Sequence, residues 1–95
     1  MSAYIIFEVE VKDHEGYARN RDLIQPTLVP YEGKFLIRGG SVECLEGTWN
    51  PSRLVVVEFP DLEKAKEWWA SDTYRPAKQV RQETTDTNMI LVEGV

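Results

Sequence analysis

Two runs of β-strand character follow each other in the middle of the sequence, and segments of helical character flank them on both sides. The first run covers residues 33–47 and the second covers Leu54–Phe59. Further strand patterns lie near the two ends of the chain, at Ala3–Val11 and at residues 89–93. The sequence therefore predicts the element order β-α-β-β-α-β.

The run at residues 33–47 is predicted to form one long, bent strand. Alternation places Phe35 and Ile37 on one face of this strand, and Leu36 and Arg38 on the other. Two consecutive glycines then interrupt the run, which is typical of a bulge or a sharp bend. The second run is apolar on both faces, which is typical of a strand in the middle of a sheet.

Alternation and capping residues define the first strand and the first two helices. The odd-numbered residues of Ala3–Val11 form an unbroken apolar face. Asp13 is predicted to cap the first helix, which Pro26 is expected to kink or split near residues 22–26. Asp61 is predicted to cap the second helix.

The last part of the chain is predicted to contain a third helical segment and a final strand. The helical segment runs from residue 73 to about residue 83. Residues 84–88 are polar and are predicted to form a loop, and residues 89–93 form the strand. The chain therefore begins and ends with a strand.

Elements of these lengths in this order predict an α+β fold of the ferredoxin-like type, with four antiparallel strands and the helices on one face. Residues 1–95 are expected to form a single ferredoxin-like domain. An uncovered apolar sheet face implies a partner, so we expect a homodimer through the helix-free sheet face, with two-fold symmetry and a barrel-like core between the subunits. Alternation places these apolar residues on that face: Tyr4, Ile6, Leu36, Leu54 and Val56.

The charge pattern argues against nucleic acid and membrane partners. The chain has 11 Lys and Arg residues against 16 Asp and Glu residues, a formal net charge of -5. The basic residues are scattered among acidic ones, whereas phosphate backbones and anionic lipids require a positive surface. No apolar run approaches the roughly twenty residues that span a bilayer. We therefore expect no nucleic acid and no membrane as a partner.

Cysteine content and the N-terminal residues predict a cytoplasmic location. Cys44 is the only cysteine, so no disulfide can form within the chain. The first three residues lead directly into a strand, without the basic segment of a signal peptide. Cys44 is expected to be a small buried apolar residue, because nothing in the sequence places a base beside it.

Arg38 is the only cation inside an apolar strand run. Its guanidinium cannot lose its charge, so burial would require either a carboxylate of the protein or an anionic ligand. Aromatic residues with a fixed cation suit a pocket for a small organic anion. Alternatively, the aromatic residues belong to the core and the arginines pair with acidic residues such as Glu8 and Glu58. The candidate ligand-binding residues are Arg38, Tyr31, Trp49, Trp68, Tyr74 and Arg81.

Other chemistries find little support in the sequence. His14 is the only histidine, and no carboxylate lies at helical ligand spacing from it, so no metal site is expected. Gly39 and Gly40 do not form a phosphate loop, because no Lys-Ser or Lys-Thr pair and no helix follow them. Flavin and nicotinamide fingerprints are absent, and we expect no cofactor.

Five blocks of this sequence, spread over essentially the whole chain, resemble the bacterial "domain of unknown function 1330" family. The resemblance implies a ferredoxin-like fold in the dimeric α/β-barrel superfamily, and it implies no activity. Two positions depart from the family pattern: Glu32 stands where the family often has glycine, and Trp69 where it often has tyrosine. The blocks are residues 31–40 (YEGKFLIRGG), 45–49 (LEGTW), 53–60 (RLVVVEFP), 68–74 (WWASDTY) and 91–95 (LVEGV).

Three hypotheses about function remain open at the level of sequence. The protein is a homodimer that binds a small ligand without chemistry, or a cofactor-independent enzyme such as an isomerase or monooxygenase, or an interaction module without a ligand. The enzyme hypothesis is an analogy with other members of the superfamily. In it, Arg38 stabilises a developing oxyanion, and Glu58, Glu8 or His14 transfers the proton.

Overall fold

The computed structural model describes all 95 residues, which form four strands, three α-helices and one 3-10 turn. The predicted order β-α-β-β-α-β is confirmed, with the third helical segment between the second helix and the last strand. The four strands form one antiparallel sheet in the order β2-β3-β1-β4. The elements are β1 (Ala3–Val11), α1 (His14–Leu28), the 3-10 turn (Val29–Tyr31), β2 (Lys34–Arg38), β3 (Leu54–Phe59), α2 (Leu62–Trp69), α3 (Arg75–Thr84) and β4 (Thr85–Glu93).

The helices cover one face of the sheet, and the core lies between the helices and that face. The odd-numbered residues of β1 and β3 are buried there, except the half-buried Val11 at the end of β1, whereas their even-numbered neighbours keep more exposure. Trp68 on α2 is fully buried and donates its indole N–H to the Thr27 hydroxyl of α1 at 3.0 Å. The sequence prediction of helices on one face of an antiparallel sheet is therefore confirmed.

Both predicted helix caps are present. Asp13 accepts a hydrogen bond from the backbone N–H of Gly16 at 3.2 Å, and Asp61 accepts one from Lys64 at 2.8 Å. The expected split at Pro26 is wrong, because α1 continues through Pro26 to Leu28. Pro26 removes one intrahelical hydrogen bond, and the helix ends two residues later. None of the three helices has the length and apolar character needed to cross a lipid bilayer.

The strand predicted for residues 33–47 is much shorter than expected. β2 ends at Arg38, and Gly39 takes a left-handed conformation with φ of 72°. Its backbone N–H still donates to the Leu54 carbonyl at 2.9 Å, which is the last bond of the ladder. A strand needs a hydrogen-bonding neighbour, and β3 begins only at Leu54. Residues beyond Gly39 therefore have no strand to pair with.

The loop that follows β2 carries exposed apolar residues. Cys44, which was expected to be buried, is exposed there, so that prediction is wrong. Its thiol makes weak hydrogen bonds to the carbonyls of Glu46 and Gly47. Burial would require a covering element, and no strand or helix forms between Arg38 and Leu54.

The last strand is longer than the sequence pattern indicated. Residues 84–88 were expected to form a polar loop, but β4 begins at Thr85, where it pairs with Val11 of β1. β1 offers a partner along its full nine residues, and threonine suits a pleated strand. Pairing with β1 therefore outweighs the polar composition of this segment.

Candidate functional site

A β-bulge at Leu36 decides where the Arg38 side chain lies. Phe35 pairs with Val57, whereas Ile37 pairs with Val56, so one residue of β2 is extra. The bulge turns Arg38 to the helix side of the sheet, on the same face as Phe35. The expected placement of Phe35 with Ile37, and of Leu36 with Arg38, is therefore wrong.

On the helix side, Arg38 lies close to the backbone of α1 and to an aromatic ring. Its Nη2 donates to the carbonyl oxygen of Arg21 at 2.6 Å, and its guanidinium carbon lies 4.2 Å from the centre of the Phe35 ring. Loss of solvent around the guanidinium lowers the pKa of Arg38, and the positive charges of Arg21 and Arg53 lower it further. Neither the carboxylate partner nor the Glu8 or Glu58 pairing considered from sequence is present for Arg38.

Arg53 lies in the same region, just before β3. Its Nε donates to the Tyr17 hydroxyl at 3.0 Å, and its guanidinium carbon lies 5.6 Å from the centre of the Tyr17 ring. The guanidinium passes directly over the backbone of Gly39, where a side chain would collide with it. Glycine at this position therefore leaves space for Arg53.

Three arginines line one narrow cleft between α1 and the sheet, and we call Arg21, Arg38 and Arg53 the arginine groove. Tyr17 and Asn20 of α1 line the same cleft. The space inside the cleft is only about 10 Å³, but Arg21 and Arg53 also line a cavity of about 390 Å³, and Arg21 and Arg38 line one of about 450 Å³. None of the three arginines takes part in a salt bridge. The groove therefore concentrates positive charge in a chain with a net charge of -5.

Acidic side chains and the only histidine lie at the edges of this region. Glu10 and His14 line the 390 Å³ cavity together with Arg21 and Arg53. Asp22 lines the 450 Å³ cavity beside Arg38. No group of three or more potential metal ligands occurs in the structure.

Three of the predicted site residues meet away from the arginine groove, on helices α2 and α3 and at the turn between them. The Trp68 and Tyr74 rings are stacked, with their centres 3.9 Å apart, and Arg81 donates its Nε to the Tyr74 hydroxyl at 3.4 Å. Burial raises the pKa of Tyr74, and the nearby Arg81 charge opposes that change. Trp68 and Tyr74 are part of the core, as the alternative interpretation of the aromatic residues held.

The last two predicted site residues, Tyr31 and Trp49, lie apart from the arginine groove and from Arg81. Tyr31 is half-buried on the 3-10 turn and packs against the core. Trp49 lies on the loop before β3, is 66% exposed, and donates its indole N–H to Glu8 at 2.8 Å. The six residues therefore do not line one cleft, and ligand binding by them stays a prediction.

Sequence reasoning missed Tyr17, Arg21 and Arg53 as neighbours of Arg38. Tyr17 and Arg21 are four residues apart on α1, a spacing that places both on one side of a helix. That signal was present in the sequence. Nothing in the sequence showed that this side of α1 faces the end of β2.

The similarity to a known family extends over nearly the whole chain. The model of the family described as domain of unknown function DUF1330 matches residues 2–95. The chain belongs to the DUF1330 family. A search for curated proteins similar to this DUF1330 chain gave no match.

Solved structures similar to the DUF1330 chain share its fold at low sequence identity. A protein of unknown function from Rhodopseudomonas palustris is 19% identical, with a TM-score of 0.80 over 99% of this chain and 82% of that one. A dimeric ferredoxin-like protein of unknown function from Jannaschia is 13% identical, with a TM-score of 0.70 over 99% and 100% of the two chains. SnoaB, a cofactor-independent oxygenase from Streptomyces nogalater, is 11% identical, with a TM-score of 0.63 over 99% and 93%. These similarities show a ferredoxin-like fold for this chain.

Proposed function

We propose that this protein is a cytoplasmic homodimer that binds a small organic anion in the arginine groove. The observation that carries the proposal is that three guanidinium groups line one cleft and none forms a salt bridge. Like charges so close together repel one another, and the lowered pKa of Arg38 reflects that repulsion as well as the loss of solvent. An anion in the cleft would relieve the repulsion.

The groove offers hydrogen-bond donors of the kind that recognise carboxylates and phosphates. Guanidinium groups bind such anions through paired N–H donors, which a lysine cannot provide. The Tyr17 hydroxyl accepts a hydrogen bond from Arg53, so its own proton remains available to a ligand. Val11 and Ala18 supply apolar surface to the 390 Å³ cavity beside Arg21 and Arg53. These features favour an organic anion with a small apolar part.

The helix-free sheet face supports the homodimer part of the proposal. Leu36 is 51% exposed and Ile90 is 58% exposed, and both are large apolar residues of the sheet. The register places Ile90 beside Ile6, and Ile6 beside Val56, on that face. Contiguous exposed apolar surface of this kind marks an interaction site. The similar proteins from Jannaschia and Bacteroides fragilis are described as dimeric and ferredoxin-like.

A thermal-shift screen with small carboxylates, phosphate esters and phenols tests anion binding. A ligand at about 100 times its Kd stabilises the folded state by about 2.7 kcal/mol, which raises the Tm of a chain this size by roughly 10–20 °C. We expect this rise for the parent protein and not for Arg38→Gln. The matched control is Arg75→Gln, which removes an exposed arginine on α3 that pairs with Asp72.

Two outcomes of the screen would contradict the proposal. If no anion raises the Tm of the parent while Arg38→Gln lowers it, Arg38 is structural and the chain is an interaction module. If Arg38→Gln responds to the ligand as the parent does, the anion binds elsewhere. Isothermal titration of the responding ligand measures the Kd for each variant and separates these cases.

A cofactor-independent oxygenase or isomerase is the second candidate function. It is supported by the similarity of the fold to the oxygenase SnoaB and by the position of His14. Of the three proposed bases, Glu58 pairs with Lys34 at 3.2 Å and Glu8 accepts the Trp49 indole. His14 alone lines a cavity together with Arg21 and Arg53. Oxygen consumption with phenolic substrates that is lost in His14→Gln would support this candidate.

A further inference from the structure

Arg81 is the only charged residue among the buried residues of the chain, with 4% of its surface exposed. The only hydrogen bond of its guanidinium is the one that Nε donates to the Tyr74 hydroxyl at 3.4 Å. Arg81 takes part in no salt bridge. No completely buried side-chain nitrogen or oxygen lacks a hydrogen-bond partner, so the unbonded terminal nitrogens of Arg81 reach the surface. They are free to donate hydrogen bonds to an anion from outside the chain.

Two adjoining cavities meet beside Arg81, between β4 and helices α2 and α3. Arg81 lines an open polar cavity of about 410 Å³ with Thr85 and Thr87. Trp69 and Met89 line this cavity and also a second, apolar cavity of about 190 Å³. The guanidinium carbon of Arg81 lies 6.0 Å from the centre of the Trp69 ring. A ligand can therefore contact Arg81 and the apolar cavity at once.

The apolar cavity has the size for one ring or a short chain. It is lined by Ile5, Ala65, Lys66, Ile90, Leu91 and the two shared residues. An apolar cavity of about 150 Å³ in a protein accommodates benzene, so 190 Å³ suffices for a single aromatic ring. Six of its seven lining residues are hydrophobic.

Three carboxylates also line the polar cavity. Two of them have other partners, and the third lies on the helix-free face of the sheet. Asp86 pairs with Lys12 at 3.0 Å, and Glu8 accepts the Trp49 indole N–H. Glu10 on β1 lies opposite Asp86 on β4 in the strand register, on the helix-free face of the sheet. On the helix side, Lys78 adds positive charge 4.2 Å from the centre of the Trp69 ring. The charge next to the apolar cavity is therefore positive.

We propose that the cleft between β4 and helices α2 and α3 binds a small monocarboxylate with a single-ring or short aliphatic body. The body lies against Trp69 in the apolar cavity, and the carboxylate accepts hydrogen bonds from the terminal nitrogens of Arg81. This site is separate from the arginine groove, since no residue of the groove lines either cavity. It therefore stands or falls independently of the function proposed above.

The test compares 3-phenylpropionate with the neutral 3-phenylpropan-1-ol by NMR of the ¹⁵N-labelled protein. We expect the acid to shift the Trp69 indole and Arg81 Nε resonances and to leave unchanged the backbone amide of Leu45, which is 92% exposed on the loop after β2. The alcohol keeps the ring and loses the charge, so we expect its Kd to be at least about tenfold higher. Equal affinity for the two compounds, or no Trp69 shift at millimolar acid, would overturn the proposal.

Variants identify the residue that holds the carboxylate. Arg81→Gln is expected to raise the Kd for the acid at least about tenfold, whereas Arg38→Gln leaves it unchanged. If Arg81→Gln does not fold, two other variants replace it. Arg81→Lys keeps the charge, and Trp69→Ala changes a side chain that is already accessible to solvent. We expect both to weaken binding of the acid, and unchanged affinity in both would overturn the proposal. A loss of affinity in Arg38→Gln alone would assign the acid to the arginine groove instead.

Discussion

At Gly39, the backbone and the Arg53 guanidinium occupy adjacent space. The left-handed φ of 72° suits glycine, and a Cβ at this position would overlap the end of the Arg53 side chain. The neighbouring Gly40 differs, because its φ is not left-handed and nothing lies near the place of its Cβ. Only the first of the two glycines is therefore required by local structure.

Gly39→Ala is expected to lower stability and to weaken anion binding in the groove together. The positive φ costs about 1–2 kcal/mol for alanine, and the added methyl group displaces Arg53. Gly40→Ala is the matched control and should change neither property. Urea unfolding and ligand titration of the two variants measure both effects. Equal behaviour of the two alanine variants would contradict the role assigned to Gly39.

Glu32 is the one residue other than glycine with a positive φ, at 58°. It follows the 3-10 turn, where its backbone N–H donates to the Val29 carbonyl at 3.1 Å. The resemblance to the family implies that glycine often stands at this position, without implying why. The structure supplies the reason, because the left-handed conformation suits glycine better than glutamate.

Glu32→Gly is therefore expected to raise the free energy of unfolding by about 0.5–1 kcal/mol. Relief of the left-handed conformation exceeds the extra flexibility that glycine brings to the unfolded chain. Glu32→Ala removes the same carboxylate and keeps the Cβ, so it should give no such gain. Chemical denaturation of the three proteins side by side checks the prediction. A gain in the alanine variant as well would assign the effect to the charge.

At the scale of the elements, the strand and helix types were predictable and the pairing details were not. Alternation identified β1, a short run apolar on both faces identified β3, and capping aspartates identified the starts of α1 and α2, because these signals are local. The ends of β2 and β4 depend on which strand lies beside them, and no local signal reports that. The bulge at Leu36 has the same origin, since it exists only relative to the residues of β3.

The candidate site was predictable only in part for the same reason. Arg38 stood out because a cation in an apolar strand run is unusual. Its neighbours Arg21 and Arg53 come from other elements, and they meet Arg38 only once the bulge has turned it toward α1. The structure brings Trp68, Tyr74 and Arg81 together, and it places Arg38 in a different cleft. The sequence did not report which of these side chains are neighbours.

The Lys34–Glu58 pair connects the edge strand β2 to β3 on the helix-free face. A hydrogen bond from the Lys34 ammonium lowers the pKa of Glu58, and hydrogen bonds from Tyr4 and Ser2 lower it further. Loss of solvent around the carboxylate raises the pKa, but by less. Because the pKa of Glu58 is lower in the folded state, the stabilisation is present above the unfolded pKa. It is lost as the pH falls through the folded pKa.

Glu58→Gln is accordingly expected to lower the Tm near neutral pH and to lose that effect in acid. The difference from the parent should narrow as the pH falls below about 4.3, the usual pKa of glutamate. Glu43→Gln, which changes an exposed loop carboxylate without a salt bridge, is the control and should show no difference at either pH. Thermal unfolding between about pH 7 and pH 3 measures this. A constant difference across that range would contradict the role of the ion pair.

For the whole molecule, the two faces of the sheet have different roles. The arginine groove and Arg81 lie on the helix side. The side chains of Arg38, Arg53 and Arg81 all form hydrogen bonds to residues of the helices or of their ends. The other face carries apolar residues and no helix. A dimer through the helix-free face would therefore leave the arginine groove open to ligands, whereas Glu10, Asp86 and Ile90 of that face also line the cavities beside Arg81.

Ile90→Glu tests the dimer at the most exposed large apolar residue of the sheet. The parent is expected to sediment at twice the 11.0 kDa chain mass. Burial of an unpaired carboxylate at the interface should raise the dimer Kd at least about tenfold. The matched control is Leu23→Glu, which changes an apolar residue of α1 that is 44% exposed, and it should leave the dimer intact.

Sedimentation velocity over a range of protein concentrations distinguishes the outcomes. Because the arginine groove lies on the helix side, the Ile90→Glu monomer should keep the circular dichroism spectrum of the parent and its affinity for anions in the groove. A parent that sediments as a monomer at every concentration would exclude the dimer. If Leu23→Glu dissociates and Ile90→Glu does not, the subunits instead associate through the helices, and the clefts beside α1 would then be covered.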